Sequence, residues 1–300
     1  MDYMKFVDYH RSTGADVTVG CLPCDAERAK EFGLMKIDAD NRVVSFAEKP
    51  KGDALEAMRV DTTSLGLAPE DARARPFIAS MGIYVFKKSA LVELLNKRHP
   101  KANDFGGEII PAAAREYTVK AYLFDDYWED IGTIRSFFEE NLKLARHNAP
   151  FEFYDPASPI YTSPRFLPPA KVENCRVTEA IISHGALVQD STIDHAVIGL
   201  RSYIERGCTI RSTLVIGADY YESDEERAAI LARGGVPMGI GAGSTIENTI
   251  IDKNARVGQG CTIANREGVQ EANREDEGFV IRSGIVVVCR NAMIKPGTVI

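Results

Sequence analysis

The sequence lacks long apolar runs and has no excess of basic residues. No stretch approaches the roughly 20 consecutive apolar residues that a membrane-spanning helix needs, so we expect no membrane partner. Lysine and arginine total 36 against 43 aspartates and glutamates, a formal net charge of −7. A protein that binds the nucleic-acid backbone would carry a basic face, so we expect no nucleic-acid partner either. The 300 residues, 45% of them hydrophobic, suffice for two domains that each bury a core.

Cysteines are few and scattered, six in all. Cys21 and Cys24 have the spacing of half a zinc knuckle, but no second pair or nearby histidine completes four ligands. Reduced thiols in a soluble intracellular protein are the simpler interpretation. A redox pair formed by Cys21 and Cys24 is the alternative.

The first 147 residues alternate strand-like and helix-like patterns. Residues 2–11 have the spacing of a short amphipathic helix, and residues 16–20 and 42–46 have the composition of strands. Residues 78–86 form a longer apolar run that predicts a buried central strand. This alternation predicts a mostly parallel sheet with helices on its faces.

Two changes in pattern divide the rest of the chain. Residues 148–170 contain six prolines and predict an extended linker, because proline breaks helices and inner strands. From residue 171 to 300 apolar residues recur every six positions, as at Ile198, Ile204, Ile210 and Ile216. A period of six is typical of hexapeptide repeats, in which three short strands form one triangular coil of a parallel β-helix. Glycines follow several of these positions, and we expect them to permit the turns. These glycines are Gly199, Gly217, Gly241 and Gly258.

Three motifs in the first half of the chain carry a family resemblance. They are FAEKPKG at 46–52, PFIASMG at 76–82 and YWEDIGT at 127–133. The chain also has an α/β region, then a proline-rich linker, then a β-helix. The motifs and this order of segments resemble ADP-glucose pyrophosphorylase (glucose-1-phosphate adenylyltransferase) over essentially the whole chain. The resemblance implies a partial α/β nucleotidyltransferase-like domain with a Rossmann-like mixed sheet at 1–147, a linker at 148–170 and a left-handed parallel β-helix at 171–300.

The family reaction that this resemblance implies joins ATP and glucose-1-phosphate into ADP-glucose and pyrophosphate with Mg²⁺, in starch or glycogen biosynthesis. Glu48 would accept hydrogen bonds from sugar hydroxyls, and Lys49 would pair with the sugar phosphate. Ser80 would contact glucose. Each has an ordinary alternative: Glu48 and Lys49 as a solvated strand end, and Ser80 as a hydroxyl bonded to a neighbouring backbone group.

Asp130 is the candidate catalytic residue and metal ligand. The family places an aspartate that binds Mg²⁺ at this position, where the cation neutralises charge on the reacting phosphates. Asp130 also precedes a helix predicted from about residue 133, so a role as helix N-cap is the alternative. Glu129 is a weaker candidate for the same metal.

Phrases at 119–124, 182–185 and 278–285 are more similar to the large, regulatory subunit of the plant and algal enzyme than to the small, catalytic one. That similarity implies an α₂β₂ tetramer with a small-subunit homologue, a place in the chloroplast stroma, and regulation by 3-phosphoglycerate and phosphate. The anion sites would use Arg165, Lys253 and Arg290. The family commonly has lysine at position 290, and arginine replaces a point charge with a fork.

One expected feature is missing. Nucleotidyltransferases need a glycine-rich turn after the first strand so that backbone N–H groups reach the triphosphate. The adjacent glycine pairs, Gly106-Gly107 and Gly234-Gly235, do not follow a first strand. We therefore expect the ATP half of the site to lie before Met1 and this chain alone to be inactive. A non-catalytic assembly or regulatory subunit is the alternative, and a hexapeptide acyltransferase that uses His184 or His195 is a second.

Overall fold

The computed structural model describes residues 1–157 and 159–300. The chain divides into two compact units, Met1–Trp128 and Glu129–Ile300. The helices and strands of the first unit are α1 (Tyr3–Thr13), β1 (Val17–Cys24), β2 (Gly33–Ile37), β3 (Val43–Glu48), α2 (Asp53–Glu56), α3 (Pro69–Ala74), β4 (Phe77–Phe86), α4 (Lys88–Glu93), α5 (Ile110–Glu116) and β5 (Val119–Leu123). Short 3₁₀ turns lie at Arg28–Glu31 and Thr62–Leu65, and π-helical turns at Leu94–Arg98 and Phe105–Ile109.

The sheet of the first unit has the strand order β3-β2-β4-β1-β5. It is mixed, and the prediction of a mostly parallel sheet is wrong: β1 and β5 pair in parallel, whereas β1 with β4, β2 with β4 and β2 with β3 pair antiparallel. The reason is the short connection between β2 and β3, which reverses the chain as a hairpin does. The predicted central strand is confirmed as β4, which lies between β2 and β1 and is buried as far as Met81.

Helix α1 confirms the helix predicted for residues 2–11, and its buried residues are Phe6 and His10, whereas Tyr3 is exposed. The Asp2 carboxylate accepts hydrogen bonds from the backbone N–H groups of Met4 and Lys5, and so caps the first turn. Phe6 is fully buried and packs on the ring of Tyr122, 4.9 Å away. Gly14, with φ of 63°, ends the helix in the left-handed conformation.

The two cysteines of the first strand belong to different cores. Cys21 packs with Val17 and Val19 on one face of the sheet, and Cys24 packs with Leu22 among the residues of another apolar cluster. Both are free, and burial raises the pKa of each thiol to about 12. This arrangement supports separate reduced thiols rather than a redox pair, because side chains three apart on a strand point to opposite faces.

The second unit contains helix α6 (Ile134–Lys143) and the parallel β-helix. Its strands, with one inserted helix, are β6 (Lys171–Glu173), β7 (Arg176–Ile182), β8 (Leu187–Gln189), β9 (Thr192–Leu200), β10 (Tyr203–Ile204), β11 (Thr209–Gly217), α7 (Asp224–Ala232), β12 (Gly239–Ile240), β13 (Thr245–Ile251), β14 (Arg256–Val257), β15 (Thr262–Ile263), β16 (Glu271–Arg274), β17 (Phe279–Arg282), β18 (Ile285–Val288) and β19 (Met293–Ile294). Parallel pairing runs in the order β19-β14-β12-β10-β8-β6 in one sheet and from β18 through β13, β11 and β9 to β7 in another.

The six-residue period places most of the β-helix interior correctly. Ile198, Ile204 and Ile210 are fully buried in the apolar core, as predicted. The prediction for Ile216 is wrong, because the next residue of the apolar core after Ile210 is Val215, five positions on. Ile216 points outward instead and packs in the outer apolar cluster that forms with α6.

The glycines of the repeat are needed mainly because backbone atoms of other coils of the β-helix lie too close to leave room for a side chain. Among Gly199, Gly217, Gly241 and Gly258, only Gly217 has a positive φ, 98°. A Cβ on Gly199 would lie 2.2 Å from the carbonyl oxygen of Ile216 on the next coil. The prediction that these glycines permit turns is therefore confirmed at Gly217 alone among the four. At Gly199, the neighbouring coil lies too close to leave room for a side chain.

The interruptions of the repeat are ordered. The segment between β11 and β12 contains α7, which begins with a capping box between Ser223 and Glu226. The later segment contains β16 and β17, which pair antiparallel. Between α6 and β6, the described residues 144–157 and 159–170 contain no helix or strand, in the segment where the prolines cluster.

Candidate functional site

Glu48 and Lys49 lie where β3 ends. Glu48 pairs with Gly33 in the register of β2 and β3, and the Lys49 N–H donates to the carbonyl oxygen of Phe32 at 3.1 Å. Lys49 has φ of 43°, a left-handed conformation that turns the chain out of the strand before Pro50. Within residues 1–128, neither the carboxylate nor the ammonium group has a hydrogen-bond or ion-pair partner. Both charges are therefore available to a ligand.

The Glu48 carboxylate sits against two glycines. A Cβ on Gly33 would lie 2.6 Å from Glu48 Oε2, and a Cβ on Gly106 would lie 2.8 Å from the same atom. Partial burial raises the pKa of Glu48, Lys49 lowers it and Asp104 raises it further. Asp104 was not singled out by the sequence. The nearby Gly106-Gly107 pair was its signal: Asp104 caps the π-helical turn Phe105–Ile109, and its carboxylate accepts a hydrogen bond from the Gly107 N–H.

Ser80 lies on β4 beside an irregularity of the sheet. It is 6% exposed, and its Oγ accepts a hydrogen bond from the N–H of Gly82 at 3.2 Å. The pairing of β1 with β4 shifts here, and Gly82 has φ of 69°, as in a bulge. Burial raises the pKa of Tyr84, and its hydrogen bond with Ser80 opposes that effect. Ser80 therefore stabilises the local bulge through Gly82, and it acts on the pKa of Tyr84, a residue that the sequence did not point to.

An aromatic cluster flanks this region. The rings of Tyr84 and Phe105 stack at 6.3 Å, and Phe86 packs edge-on against Phe105 at 5.8 Å. The charges of Glu48 and Asp104 both act to raise the pKa of Tyr84, which indicates that the phenol faces these carboxylates. Glu48 and Lys49 share one sequence motif and Ser80 lies in another, and in the folded first unit both Glu48 and Ser80 act on the pKa of Tyr84.

Asp130 belongs to the second unit and is exposed. Its Oδ2 lies 3.1 Å from where a Cβ on Gly132 would be, so the carboxylate folds over that glycine. Thr133 is the N-cap of α6, in a capping box with Ser136, so the alternative role of Asp130 as N-cap is wrong. The described residues, 1–157 and 159–300, contain no group of three or more His, Cys, Asp or Glu side chains that could hold a metal ion. One carboxylate still suits Mg²⁺ when phosphates and water supply the other ligands.

Two of the three predicted anion-site cations converge on one carboxylate. Lys253 Nζ lies 2.6 Å from Asp219 Oδ1, and Arg290 donates to Asp219 Oδ2 at 3.2 Å. Asn254 also donates to Asp219, at 3.0 Å. The Lys253 contact is the largest cause of the lowered pKa of Asp219. Arg165 lies in the segment before β6, where its guanidinium donates to the carbonyl oxygen of Ser163 at 3.4 Å.

Comparison with known families matches both units. The family model described as nucleotidyl transferase covers residues 1–147, and the model described as the GLGC left-handed parallel β-helix domain covers residues 165–299. In the described part of the chain, no helix is both long enough and apolar enough to span a membrane. Neither match is to an acyltransferase, so the alternative built on His184 and His195 has no support. The chain belongs to the sugar-phosphate nucleotidyltransferases of the ADP-glucose pyrophosphorylase type, with a nucleotidyl transferase domain followed by a GLGC left-handed β-helix domain.

Proposed function

We propose that this protein is a regulatory, large-subunit-type chain of glucose-1-phosphate adenylyltransferase, the enzyme that makes ADP-glucose. The observation that carries the proposal is the pair of charges at the end of β3. A carboxylate and an ammonium group, neither with a partner in its own unit, stand on adjacent residues beside Tyr84 and Asp104. Such a pair suits a sugar phosphate, which offers hydroxyl donors and a dianion.

Each group has a definite part in binding glucose-1-phosphate. The Lys49 ammonium group balances the phosphate charge, and the Glu48 carboxylate accepts hydrogen bonds from sugar hydroxyls. We assign Ser80 an indirect role through Tyr84, because the Ser80 hydroxyl is among the groups that lower the pKa of that phenol. This refines the direct contact between Ser80 and glucose that the family resemblance implies.

The proposed reaction requires no covalent enzyme intermediate. A phosphate oxygen of glucose-1-phosphate attacks the α-phosphorus of ATP in line, a new P–O bond forms, and the α–β bridging P–O bond breaks to release pyrophosphate. The chain contributes orientation and charge at the sugar phosphate. Mg²⁺, when bound, would neutralise charge on the reacting phosphates, and Asp130 is the described carboxylate that we assign to it.

The β-helix unit supports the regulatory part of the proposal. Lys253 and Arg290 converge, as cations that bind an anionic effector would. Phosphate and 3-phosphoglycerate are the effectors that the family resemblance suggests. The same resemblance is the basis for proposing an α₂β₂ assembly with a small-subunit homologue, starch synthesis and a place in the chloroplast stroma.

The test is calorimetric titration of the chain with glucose-1-phosphate, with glucose-6-phosphate as the control ligand. We expect saturable binding of glucose-1-phosphate that is lost in Lys49→Ala. Pyrophosphate release from ATP and glucose-1-phosphate, measured with and without a small-subunit homologue, then separates the catalytic from the regulatory role. Equal affinity for the two sugar phosphates, or no binding at millimolar concentration, would contradict the proposed site.

A further inference from the structure

The carboxylate of Glu48 occupies a slot between two residues that have no side chain. The three atoms nearest to a Cβ placed on Gly106 all belong to Glu48: Oε2 at 2.8 Å, Cδ at 3.1 Å and Oε1 at 3.4 Å. A Cβ on Gly33, on the neighbouring strand β2, would meet the same Oε2 at 2.6 Å and the ring of Phe46 at 2.6 Å. Real Cβ atoms do not approach oxygen so closely, so an alanine at either position would displace the carboxylate.

Backbone conformation does not explain the glycine at 106. Gly106 lies in the π-helical turn Phe105–Ile109 and is not among the glycines with positive φ. Alanine favours a helical turn over glycine, so folding alone would favour a side chain at this position. The atoms nearest to that space belong to the carboxylate of Glu48, which is itself without a hydrogen-bond partner among residues 1–128.

We propose that Gly106, together with Gly33, is a positioning residue that holds Glu48 in place for the sugar phosphate. The missing side chains leave room for the carboxylate of Glu48, an exposed residue, to lie against the backbone of both glycines, next to the turn that Asp104 caps. With a methyl group at 106, the carboxylate would swing out toward solvent and lose its alignment with the sugar hydroxyls. The inference rests on the proposed function for the binding of glucose-1-phosphate, but the placement of Glu48 can be measured without any ligand.

The first experiment compares Gly106→Ala with Gly107→Ala in the full chain. Gly107→Ala adds the same methyl group one residue later, where the nearest atom is Asp104 Oδ1 at 3.1 Å and Glu48 is not within reach. We expect Gly106→Ala to weaken glucose-1-phosphate binding about 10-fold or more, the effect of losing a charge-assisted hydrogen bond. Gly107→Ala should change it less than about 3-fold. Equal effects of the two substitutions would overturn the inference.

A shortened carboxylate supplies the second variant. Glu48→Asp withdraws the carboxylate by one methylene group, so it should weaken binding in the natural background and relieve the contact with a methyl group at 106. We therefore expect the Gly106→Ala/Glu48→Asp double variant to bind glucose-1-phosphate at least as well as Gly106→Ala alone. If the losses of binding free energy in Gly106→Ala and Glu48→Asp simply add in the double variant, the two residues act independently and the inference is overturned.

The ligand-free measurement is a ¹³C NMR titration of the Glu48 carboxyl group. Burial is the main cause of its raised pKa, with Lys49 and Asp104 as the charged neighbours. Gly106→Ala should lower this pKa toward the ordinary glutamate value, and Gly107→Ala should leave it in place. An unchanged pKa in Gly106→Ala overturns the positioning role. A lowered pKa in a chain that binds no glucose-1-phosphate would confirm the positioning role and contradict the proposed function instead.

Discussion

The charged residues of the two candidate sites, one in each unit, differ in how they are paired. In the first, Glu48 and Lys49 stand at a strand end without partners among residues 1–128. In the second, Lys253 and Arg290 are already paired with Asp219, and a second network surrounds Glu222. The first arrangement leaves charge for a ligand to satisfy. In the second, any anion that binds must compete with a carboxylate of the chain itself.

The network around Glu222 gives the largest expected effect. The side chain of Glu222 is 4% exposed, accepts a hydrogen bond from the N–H of Met238 at 2.8 Å and forms ion pairs with Arg227 and Arg256. Glu222→Ala would leave the partly buried guanidinium group of Arg256 without its carboxylate, whereas Arg227 would keep its ion pair with Glu205 at 2.7 Å. We expect a loss of about 3–5 kcal/mol in the free energy of unfolding of the β-helix unit, measured by urea denaturation.

Glu48→Ala is the matched change in the other unit. Because the Glu48 carboxylate has no hydrogen-bond or ion-pair partner among residues 1–128 and its pKa is raised by burial, the free energy of unfolding should change by less than about 1 kcal/mol. If Glu222→Ala and Glu48→Ala lowered the free energy of unfolding by similar amounts, Glu48 would have a structural role like that of Glu222, and the proposed difference between the two carboxylates would be wrong.

The second-largest expected effect is a loss of affinity for glucose-1-phosphate. Lys49→Ala should weaken glucose-1-phosphate binding about 10- to 150-fold, because a charge-assisted hydrogen bond contributes about 1.5–3 kcal/mol. Lys51→Ala removes an equivalent charge two residues later and should change the affinity much less. Calorimetry gives both values, and thermal unfolding should be the same in all three chains. A larger effect of Lys51 would place the phosphate elsewhere.

The sequence predicted the two regions unequally, for physical reasons. The six-residue period fixed the interior of the β-helix, because each coil repeats the same strand and turn, and it failed at Ile216, where the spacing shortens to five. In the first unit, the pattern of apolar runs predicted β4 but not whether it pairs parallel or antiparallel with its neighbours. That choice depends on how the segments between the strands connect them, which the apolar pattern does not show. Antiparallel pairing of β1 with β4 followed from no local signal.

Single motifs likewise predicted individual site residues and missed their neighbours. The EKP motif points to Glu48 and Lys49, but Asp104 and Tyr84 come from a distant turn and from β4, and only folding makes them neighbours of Glu48. The charge of Lys253 and Arg290 was visible in the sequence. Their shared partner Asp219 was not, because it lies on the inserted segment between β11 and β12.

A third effect concerns that shared partner. Asp219→Asn keeps the size of the side chain and removes the negative charge between Lys253 and Arg290. Because Lys253 lowers the pKa of Asp219, the carboxylate is ionised at neutral pH and opposes any bound anion. We expect Asp219→Asn to tighten inorganic phosphate binding about 3- to 10-fold at low ionic strength. Lys253→Ala should weaken it. Unchanged affinity in both variants would show that phosphate does not bind here.

The smallest effect is expected for Arg290→Lys, which restores the residue that the family commonly has. The Arg290 side chain is 60% exposed and makes one contact with Asp219, at 3.2 Å. A surface ion pair of this kind contributes about 0–1 kcal/mol, so phosphate affinity should change less than about 5-fold and the unfolding curve should not move. The direction of the change in phosphate affinity is informative, because the planar guanidinium group can contact two phosphate oxygens at once, whereas an ammonium group acts as a point charge. A 10-fold loss in Arg290→Lys would show that the fork is essential, and that this arginine is a specific feature of the anion site rather than a substitute for lysine.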